Sequence, residues 1–382
     1  MSEYQYYEFK KVTGKLTSYE QNALRSISSR AQITATSFIN FYHYSDLNAS
    51  PKELLKRYFD LYLYTANWGS AMFAIKVPKQ ALDKELINIF AAGDIFEIDE
   101  TDKYWTLRWS TGDIDDYGNI DYSDLESDSE LMQELEDIRD EILSGDLRSL
   151  YLGWLAGVHY GEVSDDAKEP MLVSGLGQLT QAQQNLCELL QISPDLVSAA
   201  ALGSPVLSTK DNAHIDDYVE HLPESQLRKM AKALLEGKGV EAQQQLKIDY
   251  ATWSRCNADS VIPSSRSLSE IRMHIDSMRN ERLAKETLIM QQQAEQARIK
   301  QEARIKRMYK DSDKHWHKIR SEIETGSGRS YDAATDLLGE LYQSYCLYSE
   351  GELFKQKLNK LMESQKRRPA LITRLQRKGL IS

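Results

Sequence analysis

The sequence predicts an α+β protein: an N-terminal α/β sandwich-like domain, then an all-helical domain, a long extended helix and a small helical C-terminal cap. Three observations predict it. Short runs rich in aromatic and β-branched residues, the composition of strands, are concentrated before Thr111. After Ser129 the apolar spacing turns helical. From Ser267 to Glu324, 58 residues pass without a Pro or Gly, a helix on the order of 85 Å long if unbroken. The expected domains are a head at 1–112, an acidic linker at 113–128, a helical domain at 129–260, the long helix at 267–324 and the cap at 330–382.

The elements follow in order. YQYYEF at 4–9 suits a strand, and Thr17 with Glu20 has capping-box spacing before a helix to about Ser29. Ser37–Tyr44 suits a second strand. Ser50 and Pro51 open a helix whose apolar face holds Leu55, Phe59, Tyr62 and Ala66. Residues 70–77 suit a buried strand ended by Pro78, 79–91 a helix, and 95–99 with 103–109 a hairpin in which Trp105, Leu107 and Trp109 alternate with polar neighbours. Helices are expected at 129–143, 146–160, 178–191, 194–202, 212–221, 223–236 and 239–256. After the Gly326–Gly328 turn come helices at 331–348 and 350–366, and a short one after Pro369.

The long helix has a thin core. Leu268, Ile271, Ile275 and Met278 follow 3-4-3 spacing and form a candidate protein interface. Arg282 and Lys285 interrupt that register, and Met290, Ala294, Ala297, Ile305 and Met308 continue as a weak stripe. A mostly polar helix bridges solvent or packs along one seam, here against its own body, a partner or a second copy as a coiled coil. Lys310–Asp313 is the expected break.

Charge is unevenly placed. The chain of 382 residues carries −11 overall. From Ser264 onward 24 Lys and Arg face 16 Asp and Glu, so the body is acidic and the end basic. Lys366, Arg367, Arg368, Arg374, Arg377 and Lys378 form a basic cluster fit to contact nucleic acid phosphates, an acidic partner or the chain's own acidic segment. MSEYQYYEF lacks the pattern of a signal peptide, and no run of about 18 apolar residues suits a membrane span. Cys187, Cys256 and Cys346 are scattered, as expected of buried thiols in a reducing cytoplasm.

Catalytic signals are weak. Asp113–Asp124 places acids at positions 1, 3, 9 and 12 of a calcium loop, but Tyr117 stands at position 5 and Asp124 where a longer Glu belongs. A solvated acidic loop is the simpler reading. His315 and His317 flank Trp316 and fall on different helix faces, unsuited to one ion. His159 ends a helix, where an imidazolium would favour the dipole. Gly175-Leu-Gly177 lacks the rest of a phosphate loop. His43, Asp46 and Trp68 mark the place to look for an enzyme site, without a recognisable nucleophile. No cofactor or metal is expected.

The segments YQYYEF, LRSISSRAQITATSF, LKRYFDLYLYTANWG, GDLRSLYLGWLAGV, ISPDLVSAAA and RRPALITRLQRKGL resemble an uncharacterised family of bacterial cytoplasmic proteins over nearly the whole chain. The long helix departs from that family's pattern, being Gln-rich where Ala and Arg are usual. The resemblance implies one folded head, one long charged helix and one helical cap, and carries no activity. The expected function is that of a non-catalytic bacterial interaction or scaffold protein that acts through protein–protein contacts of its acidic head and long helix. The alternative is an accessory factor that binds nucleic acid non-specifically through the basic end.

Overall fold

The computed structural model describes residues 4–112, 125–206, 211–257, 266–365 and 367–381. The chain divides into two compact units, one ending at Glu281 and the other beginning at Arg282. In the first unit, β1 (Gln5–Lys10), β2 (Gln32–Ile33), β3 (Ser37–Tyr42), β4 (Leu61–Ala66), β5 (Ala71–Pro78), β6 (Phe96–Glu100) and β7 (Tyr104–Ser110) form an antiparallel sheet in the order β2-β3-β1-β4-β5-β7-β6. Strand alternation sends successive side chains to opposite faces. Phe9, Phe38 and Tyr62 pack with Leu24 of α1 (Ser18–Ile27) and Leu54 and Leu55 of α2 (Pro51–Tyr58). Tyr6, Leu63, Phe73, Ile75 and Trp109 belong to the other core.

β4 corrects the sequence reading. The helix opened by Ser50 and Pro51 stops at Tyr58 and does not reach Ala66. Leu61 and Leu63 face one core and Tyr62 the other. With both faces apolar, the period-two signal is lost and the segment passes for a helix. The expected helix at 79–91 is a 3-10 turn at Lys79–Ala81 followed by α3 (Lys84–Asn88). The hairpin of β6 and β7 stands where the sequence placed it.

The rest of the first unit comprises α4 (Leu125–Leu135), α5 (Asp137–Leu143), α6 (Arg148–Tyr160), α7 (Gln181–Leu189), α8 (Pro194–Ala201), α9 (Asp211–Glu220), α10 (Glu224–Leu235), α11 (Gly239–Asn257), α12 (Leu268–Met273) and the first turns of α13 (Ile275–Lys310). The central one is α6, with every residue from Arg148 to Val158 buried. Trp109 Nε1 donates to the Ser149 carbonyl at 3.1 Å, and Arg139 Nε donates to the Lys76 carbonyl at 2.9 Å. Sheet and helices therefore share one continuous core, whereas the sequence reading set a head at 1–112 apart from a helical domain at 129–260.

A buried ionic knot ties the sheet to its first loop. One carboxylate oxygen of Asp60 accepts from the amides of Val12 and Thr13, both at 2.9 Å, and from the Thr13 hydroxyl at 2.7 Å. Lys76 Nζ lies 3.6 Å from the other oxygen. Burial alone would raise the Asp60 pKa, but the Thr13 hydrogen bonds and the Lys76 and Arg139 charges outweigh it, so the carboxyl lies below its ordinary value. Between the lowered folded value and the unfolded value of about 3.9, the unfolded chain binds more protons. The stabilisation is thus complete above the unfolded pKa and is lost as pH falls through the folded one. Asp60→Asn is expected to cost about 2 kcal/mol at neutral pH. It should also flatten the acid limb of stability, read as the urea midpoint against pH.

The second unit contains the remainder of α13, α14 (Ser312–Thr325), α15 (Gly328–Leu347), α16 (Gly351–Glu363) and α17 (Pro369–Arg377). Trp316, Ile319, Leu338, Tyr345, Phe354, Leu358 and Leu371 form its core. The long helix breaks at Asp311, as the local sequence suggests, and also at His274. Among the described residues no helix is long and apolar enough to cross a membrane.

Candidate interaction surfaces

The 3-4-3 seam is consumed inside the first unit. Ser267 caps α12 in a reciprocal box with Glu270. Leu268 and Ile271 are fully buried, and Ile275 and Met278 are half-buried against the same core. These four residues anchor the start of the long helix to its own body, so of the placements their spacing allows it is the intramolecular one that is seen. Apolar side chains with regular spacing favour burial wherever they can reach it, and here α8 lies within reach.

Beyond the seam the helix changes character. From Leu283 to Gln301 every residue is exposed, a length of about 28 Å. Arg282–Glu286 at 3.1 Å and Arg298–Glu295 at 2.8 Å are ion pairs along its surface. Such i,i+3 and i,i+4 pairs support a solvated helix weakly. Large apolar side chains are exposed among them: Met290 at 69%, Ile299 at 56%, Leu288 at 54% and Leu283 at 47%. Leu283, Thr287, Met290, Ala294 and Ala297 follow 4-3-4-3 spacing, the seam spacing of a coiled coil.

The basic end divides into spent and free cations. Lys366 lies outside the described residues. Arg368 donates to the Ile323 carbonyl at the end of α14 and to the Tyr331 hydroxyl, the latter at 3.1 Å. Arg374 pairs with Asp332 at 2.6 Å and Lys378 with Asp336 at 2.7 Å. These contacts clamp α17 onto α15 beside the buried Leu371 and Leu375. Arg367 and Arg377 are exposed and make no ion pair among the described residues.

Among the described residues no hydrogen bond or ion pair joins His43, Asp46 and Trp68 to one another. Asp46 accepts from Gln5 Nε2 at 2.8 Å, His43 packs edge-on against Tyr4 with ring centroids 5.1 Å apart, and Trp68 is half-exposed between β4 and β5. His159 lies in the last turn of α6, as its position in the sequence suggests, and burial holds its pKa below its ordinary value, which disfavours the imidazolium there. The Gly175–Gly177 loop is structural: Arg148 Nη1 donates to the carbonyls of Gly175 at 3.4 Å and Gln178 at 2.6 Å. Burial, then Glu188, pushes the Cys187 thiol up to about 12, which keeps it protonated and inert. Among the described residues no cluster of His, Cys, Asp and Glu is placed to hold a metal. The Asp113–Asp124 loop lies outside the described residues.

No family model, no curated protein and no solved structure matches the chain.

Proposed function

We propose that the protein is a non-catalytic interaction protein of the cytoplasm, which binds a protein partner through its long helix. The observation that supports this reading is the exposed stretch of α13 from Leu283 to Gln301, where large apolar side chains face water on an otherwise charged helix. An isolated helix in water gains nothing from Leu283, Leu288, Met290 or Ile299 unless a second surface covers them. The 4-3-4-3 spacing suits a partner helix lying alongside.

The nucleic-acid reading rests on the basic end. It has less support, because Arg368, Arg374 and Lys378 already bind groups of the second unit. Gentle native purification from the source cell at low and high salt separates the two. The expected result is a second polypeptide in fixed ratio at both salts, identified by mass spectrometry. Nucleic acid that elutes with salt, seen in the ultraviolet absorbance ratio, contradicts the reading and favours the alternative.

A further inference from the structure

We draw no further inference here: the strongest candidate, the exposed apolar face of α10 at Leu227, Leu234 and Leu235 on a helix without a buried residue, carries nothing because no feature of the structure shows what covers it.

Discussion

Glu169→Ala is expected to cost about 4 kcal/mol of stability, read as a fall in the urea midpoint with unchanged slope. Glu169 is 2% exposed and is the hub of a buried network. The Tyr151 hydroxyl donates to its Oε1 at 2.6 Å, and Arg266 grips both oxygens, Nε to Oε2 at 3.0 Å and Nη2 to Oε1 at 2.6 Å. Burial first, and then the Glu169 charge, raises the Tyr151 pKa well above its ordinary value, so the phenol stays a donor. The Glu169 amide also donates to the Arg266 carbonyl at 3.0 Å. The network joins the loop after α6 to the entry of α12. Alanine would strand the guanidinium of a mostly buried arginine and leave a buried phenol without its acceptor. Glu169→Ala with Arg266→Met should recover part of the loss, because it removes the stranded charge. Equal stability of the single variant and the wild type would show that the network contributes nothing.

Gly153→Ala is expected to cost about 2–3 kcal/mol, even though alanine favours a helix by up to about 1 kcal/mol. A Cβ at Gly153 would lie 2.6 Å from Phe96 Cγ and 2.7 Å from Trp109 Nε1. Those rings stack on each other at 5.0 Å and are fully buried, so neither can swing away. Gly157, one turn on, meets the Ala92 methyl as closely. Gly153 lets α6 lie directly on β6 and β7, and Gly157 lets it lie on the turn at Ala92 before β6. Gly339 in α15 provides the contrast, with nothing within 4 Å of an added Cβ. Gly339→Ala should leave stability unchanged or raise it, so a similar loss at both positions would refute the close-approach argument.

Much of this fold was legible because local chemistry announced it. The Thr17–Glu20 box and the Ser50–Pro51 start are visible as residue spacings, and each caps a helix. The hairpin was legible because Trp105, Leu107 and Trp109 alternate with polar neighbours on a strand buried on one face. β4 was not, because it is buried on both faces and follows directly on a helix. The split of α4 from α5 at Glu136 has no Pro or Gly to mark it. The interaction surfaces were only partly legible, since spacing alone does not say which apolar stripe finds a neighbour. Leu268 and Ile271 look no different in sequence from Leu283 and Met290, yet the first pair is buried and the second exposed.

The central claim is that the exposed stripe of α13 is covered by another polypeptide. Its most direct test is the native mass of the protein purified gently from its source cell, wild type beside Leu283→Glu with Met290→Glu, by sedimentation velocity. The account predicts a wild-type particle heavier than the 43.8 kDa chain, in fixed ratio with its partner, and a double variant that sediments as the folded chain alone. A wild type that sediments as a bare monomer, or a partner that the double variant retains undiminished, would contradict it.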